Sequence, residues 1–127
     1  MQEYRVIVGD NGDKFWYQND KLHRLDGPAV EWSDGDKSWY QNDKLHRLDG
    51  PACEYANGNK TWYQNDERHR LDGPAIEYAD GFKAWYIEGK KLTEEEFNNR
   101  NNKVEVTLKE VAIAMNIDVD KLRIKEH

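Results

Sequence analysis

Between residues 4 and 92, apolar and polar side chains alternate in short runs, broken at regular steps by glycine, proline, asparagine and aspartate. Asn11-Gly12, Asp34-Gly35, Asn57-Gly58 and Asp80-Gly81 each sit between two such runs. A dipeptide of this kind predicts a β-hairpin with a two-residue type I′ loop, in which both loop residues take positive φ. With Asp34-Gly35 as that loop, Trp32 faces Lys37, Glu31 faces Ser38, Val30 faces Trp39 and Ala29 faces Tyr40. Period-two alternation then places Val30, Trp32 and Trp39 on one face, and Ala29, Glu31, Ser38 and Tyr40 on the other. The following units divide in the same way: Cys53, Tyr55 and Trp62 against Glu54 and Tyr63, then Ile76, Tyr78 and Trp85 against Glu77 and Tyr86. Asp26-Gly27-Pro28 and its copies predict the opposite corner, and Asn19-Asp20 a second bend.

The pattern is a repeat. Trp16, Trp39, Trp62 and Trp85 recur every 23 residues, and His23, His46 and His69 keep the same step. The units starting at Trp16 and Trp39 agree at 17 of 23 positions, a third starts at Trp62, and a partial fourth starts at Trp85. The predicted fold is mainly β: an antiparallel β-hairpin repeat ribbon over residues 1–92, closed by a small C-terminal α/β cap over 93–127. Repeat arrays need atypical ends. Val6-Ile7-Val8 occupies the place of Ala29-Val30-Glu31 and supplies a starting strand. Thr93-Glu94-Glu95-Glu96 is a capping box that opens a helix to about Arg100. A strand over 103–106 and a second helix from Thr107, with Leu108, Val111, Ala112 and Met115 as its apolar stripe, complete the expected cap.

These residues resemble a known class. The Lys-x-Trp-Tyr strand after each Asn-Gly or Asp-Gly, and the His-Arg-Leu-Asp-Gly-Pro-Ala segments at His23, His46 and His69, are similar to the MORN repeat. The likeness is greatest to its divergent bacterial and phage relatives, and it covers roughly residues 5–92. It implies a solenoid of hairpins. The usual Tyr-x-Gly-x-Trp strand and His-Gly-x-Gly corner are missing here, so lipid-binding and dimerisation modes of eukaryotic members do not carry over.

Composition narrows the function. Val, Ile, Leu and Phe make up 24 of 127 residues, close to the level at which disorder is expected, but five Trp and seven Tyr provide a core of rings. The formal charge of −6 is spread evenly, with 13 basic and 17 acidic residues over 1–92 and 6 and 8 over 93–127. With no basic patch, nucleic acid and anionic membrane surfaces are not the expected partners. No membrane span or signal peptide is apparent, and a lone Cys53 fits a reducing cytoplasm, that of a host cell if the protein is viral.

Candidate chemistry is sparse. Equivalent atoms in successive two-strand repeats lie ~10 Å apart, whereas ligands of one zinc ion sit ~2.0–2.1 Å from the metal. His23, His46 and His69 therefore do not share an ion, and instead are expected, with the neighbouring Arg, to tie down the Asp-Gly-Pro corner. Glu31, Glu54 and Glu77 have the same spacing and identical surroundings, which does not suit an acid–base pair. Cys53 occupies the slot of Val30 and Ile76, so it reads as core packing. The expectation is no enzyme, no metal and no cofactor. What remains is a repeated surface, with Tyr40, His46, Arg47, Tyr63, His69 and Arg70 as the candidate partner-binding residues. The expected function is a non-catalytic binding module, a phage-encoded inhibitor of a host defence protein acting by protein–protein contact. The charge suits a basic patch on that host protein, and a homodimer is a further option. A protein that sequesters a small nucleotide, or a structural or assembly piece, are the alternatives.

Overall fold

A computed structural model describes residues 3–100. The chain divides into two units, Met1–Leu92 and Thr93–His127. The first is built of short antiparallel strands: β1 (Tyr4–Val8), β2 (Lys14–Gln18), β3 (Lys21–Leu22), β4 (Val30–Glu31), β5 (Lys37–Ser38), β6 (Tyr40–Gln41) and β7 (Lys44–Leu45). β8 (Cys53–Glu54), β9 (Lys60–Thr61), β10 (Tyr63–Gln64), β11 (Glu67–Arg68), β12 (Ile76–Glu77), β13 (Lys83–Ile87) and β14 (Lys90–Leu92) follow. The main sheet has the order β1-β2-β4-β5-β8-β9-β12-β13-β14, with β3 pairing β2, while β6-β7 and β10-β11 form separate hairpins. This is the expected hairpin ribbon, and β1 pairs β2 with Ile7 opposite Phe15, as a starting strand should.

The hairpin register differs from expectation by one residue. Val30 pairs with Ser38 and Glu31 with Lys37. The tip is a three-residue loop: Gly35 N–H donates to Trp32 O (3.0 Å) and Trp32 N–H to Asp36 O (2.9 Å). Gly35 has φ of 101°, whereas Asp34 is not in the left-handed region. A turn closed by one left-handed glycine, with the bulge it creates, satisfies an Asp-Gly sequence as well as a type I′ loop does. The double-positive geometry lies at the other bend, where Asn42 and Asp43 have φ of 51° and 67°, and Asn19-Asp20 and Asn65-Asp66 match them. There Tyr40 pairs with Leu45 and Gln41 with Lys44, a true two-residue loop.

A one-residue slip exchanges the two faces of a sheet. The expected Trp-rich face is accordingly not formed. One face instead carries Phe15, Val30, Ser38, Cys53, Thr61, Ile76 and Ala84 in a continuous cross-strand column. All but Phe15 are buried in this column, Cys53 in the core position expected of it. The opposite face carries Lys14, Glu31, Lys37, Glu54, Lys60, Glu77 and Lys83, each directly across from a residue of the other sign. Opposite charges facing across a ladder stabilise it, and like charges would not. Two residues along from the lysines, alternation puts Trp16, Trp39 and Trp62 on this charged face, and Tyr40 with Ser38 on the core face.

Side chains tie each repeat to the next at three levels. At the tips, Ser33 N–H donates to Asp13 Oδ1 (2.7 Å), Ala56 N–H to Asp36 Oδ1 (2.7 Å) and Ala79 N–H to Asn59 Oδ1 (2.9 Å). At the bends, Leu22 N–H donates to Asp43 Oδ1 (2.6 Å) and Leu45 N–H to Asp66 Oδ1 (2.7 Å). The third level uses the histidines. Asn42 N–H donates to His23 Nδ1 (3.1 Å), Asn65 N–H to His46 Nδ1 (3.1 Å) and Glu88 N–H to His69 Nδ1 (2.9 Å). The imidazoles thus hold the next repeat's bend and not their own corner, as had been expected.

In the second unit a helix covers 94–100. Its capping box is reciprocal: Glu96 N–H donates to Thr93 Oγ1 (3.1 Å), and Thr93 N–H to Glu96 Oε1 (2.9 Å). The expected strand at 103–106 and the second helix from Thr107 lie outside the described residues. Among the described residues no helix is long and apolar enough to cross a membrane.

Candidate protein-binding site

The His-Arg-Leu-Asp-Gly-Pro segment makes a corner whose organiser is the arginine. Arg47 Nε donates to Asp49 Oδ1 (2.9 Å), and Nη1 donates to Pro51 O (3.0 Å) and Glu54 Oε2 (2.9 Å). Its guanidinium lies 3.9 Å above the Trp39 ring. Arg24 and Arg70 repeat the arrangement over Trp16 and Trp62, each at 4.0 Å. Glycine leaves the guanidinium its room, because a Cβ at Gly50 would lie 2.9 Å from Arg47 Cζ and one of the two would have to shift. The sandwich of glycine, guanidinium and indole explains why His-Arg-Leu-Asp-Gly is kept in three copies.

The corner aspartates take part in this grip yet face solvent. Arg24 and Arg47, through hydrogen bonds and charge, hold the Asp26 and Asp49 carboxyls below the usual aspartate value. The side chains of Asp26, Asp49 and Asp72 are 86%, 87% and 85% exposed. Beside them Leu25, Leu48 and Leu71 are 75%, 75% and 54% exposed. The same apolar side chain thus stands in water at the same place in three repeats. Successive corners are separated by grooves of about 590 Å³ and 540 Å³ with equivalent linings one repeat apart. The larger is bounded by Leu48, Asp49, Leu71 and Asp72, with Trp62 and Gln64 between them.

The six candidate residues divide between the faces. Arg47, His69 and Arg70 line the larger groove, while His46 and Arg47 line the smaller. Tyr40 instead lines a recess of about 410 Å³ with Trp32, Ser38, Leu45, Cys53 and Tyr55 on the core face. Burial, then the neighbouring Cys53, raises the Tyr40 phenol above its ordinary value, and the same two causes push Tyr55 up to about 12. Tyr63 pairs with Arg68, whose guanidinium lies 5.9 Å from its ring and 5.3 Å from that of Tyr86. The tyrosines therefore do not join the arginines in one surface.

Sequence reasoning passed over Leu25, Leu48 and Leu71, the residues that give the corner its apolar content. Their signal was present: a leucine between Arg and Asp, out of phase with any strand alternation and repeated three times. No family model, curated protein or solved structure matches the chain.

Proposed function

We propose that the chain is a MORN-like repeat protein acting as a non-catalytic binding module, which holds another protein along its row of His-Arg-Leu-Asp-Gly corners. The observation that carries this reading is the triplicate display of an exposed leucine beside an exposed aspartate, separated by equivalent grooves. Three-fold repetition lets weak contacts add along one partner, as solenoid surfaces do. The partner we propose carries a basic surface, and a host protein blocked by a phage product is the instance suggested by the resemblance. The corner arginines and histidines are occupied by internal bonds, so they shape the site while Leu25, Leu48, Leu71 and the aspartates meet the partner.

The test is a comparison of two baits. The wild-type chain and the Leu25→Ser/Leu48→Ser/Leu71→Ser variant should melt alike, since exposed substitutions change stability by only ~0.5 kcal/mol. Proteins retained by the first and lost by the second support the reading. Identical retention by both baits would place binding elsewhere.

A further inference from the structure

The geometry of the row points to the form of the partner. Successive corners are two strands apart in the ladder, a step of ~9.6 Å at the usual strand spacing. A polyproline-II chain has three residues per turn and rises ~3.1 Å per residue, so every third side chain points the same way at a step of ~9.3 Å. A β-extended chain covers a similar distance in three residues but sends the first and fourth to opposite sides. An α-helix returns a side chain to one side every seven residues, a step of ~10.5 Å, so the polyproline-II form matches the corners best using one side of the ligand.

Charge fixes what that side carries. At each corner one arginine is paired with two carboxylates, Arg24 with Asp26 and Glu31, Arg47 with Asp49 and Glu54, Arg70 with Asp72 and Glu77. Each of these glutamates also faces two lysines across the ladder, whereas the aspartate is the more exposed carboxylate at each corner and the negative charge most open to a ligand. The intervening leucines offer apolar contact to the spacer residues. We propose, resting on the corner as the binding site, that it takes a polyproline-II segment bearing Lys or Arg at every third position. Such a segment arrives with little conformational entropy left to lose, which suits a shallow surface.

The probe is a labelled peptide of about five Arg-Pro-Leu triplets in polyproline-II form, compared by fluorescence anisotropy with an isomer of the same composition and irregular arginine spacing. The regular peptide should bind roughly tenfold more tightly, with affinity falling as salt rises. Asp26→Asn/Asp49→Asn/Asp72→Asn should weaken it at least about tenfold, since the amide oxygen still accepts from the arginine while the charge is gone. The charge-matched tip variant Asp10→Asn/Asp34→Asn/Asp80→Asn should bind as the wild type does. Equal affinity for the two peptides, equal loss in the two variants, or tighter binding of an oligonucleotide of similar length would overturn the proposal. If the peptides fail while the triple leucine variant still loses its captured proteins, the corner stands as the site and only the ligand form is wrong. Failure of both experiments removes both.

Discussion

Placing an alanine at Gly50 tests the glycine–guanidinium–indole sandwich directly. Gly50 is not in the left-handed region. Taken alone, Gly→Ala there should stabilise by ~0.4–1 kcal/mol, by restricting the unfolded chain. The structure reverses that sign. The new Cβ would lie 2.9 Å from Arg47 Cζ, and that guanidinium is pinned by Asp49, Pro51 O, Glu54 and the Trp39 ring. Displacing it forfeits a partly desolvated cation–π contact, ~0.5–2 kcal/mol, and strains at least one charge-assisted hydrogen bond of ~1.5–3 kcal/mol. Gly50→Ala should therefore destabilise by ~1–3 kcal/mol net of the backbone gain. In an Arg47→Ala background the obstacle is absent, and the same substitution should be neutral or stabilise by ~0.4–1 kcal/mol. Urea melts of the four proteins form the cycle, with m-values confirming a common transition. If Gly50→Ala is equally harmful with and without Arg47, the guanidinium is not what excludes a side chain there.

Other perturbations read other parts of the array. Ile76→Ala removes a buried member of the core column and should cost ~2–4 kcal/mol in a chemical melt, more than Phe82→Ala, whose ring is half exposed. Thr61 Oγ1 is buried without a hydrogen-bond partner, so Thr61→Val should raise stability by ~1 kcal/mol; a loss of similar size would mean the hydroxyl is satisfied. Asn42→Ala/Asp43→Ala puts two alanines at positive φ and removes the acceptor of the Leu22 N–H, and should cost at least ~2–4 kcal/mol at ~1–2 per residue for the backbone alone, whereas the same pair at Ser33 and Asp34 should cost far less. Asp13, Asp26 and Asp49 are held below their ordinary values, the first chiefly by the Ser33 N–H and the others by arginine. A depressed folded value contributes stability above the unfolded pKa of ~3.9 that is lost as pH falls through the folded one. The urea midpoint should accordingly drop below about pH 4, and Asp13→Asn/Asp26→Asn/Asp49→Asn should flatten that slope.

The period, the β class, the starting strand, the Asn-Asp bends and the Thr93 capping box were all legible, because each depends on residues close in sequence. The register was not. Asp34-Gly35 permits two loop lengths, and the choice between them decides which face every side chain occupies. Charge held the answer: the longer loop sets Glu31 against Lys37, whereas the shorter sets Glu31 against Ser38 and Lys37 against Trp32. Weighing cross-strand pairs, and not the dipeptide alone, would have selected the observed sheet. At the corners, repetition alone singled out His46, Arg47, His69 and Arg70, which line the grooves. Tyr40 was expected on the face of Glu31, and the shifted register puts it on the core face instead, while the exposed leucines were passed over because burial is the default reading of that side chain.

The side-chain hydrogen bonds that join one repeat to the next span 19 to 21 residues, from His Nδ1 to the following bend and from tip and bend carboxylates or amides to the neighbouring unit. Among the described residues none of these reaches two repeats away. Copying a 23-residue unit within the gene would therefore create only contacts that already exist, and would add one Glu and one Lys to the ladder without breaking its alternation of sign. Such a protein can change length by duplication or deletion of whole units while its fold stays the same. The number of corners it presents becomes a quantity that can change in whole steps.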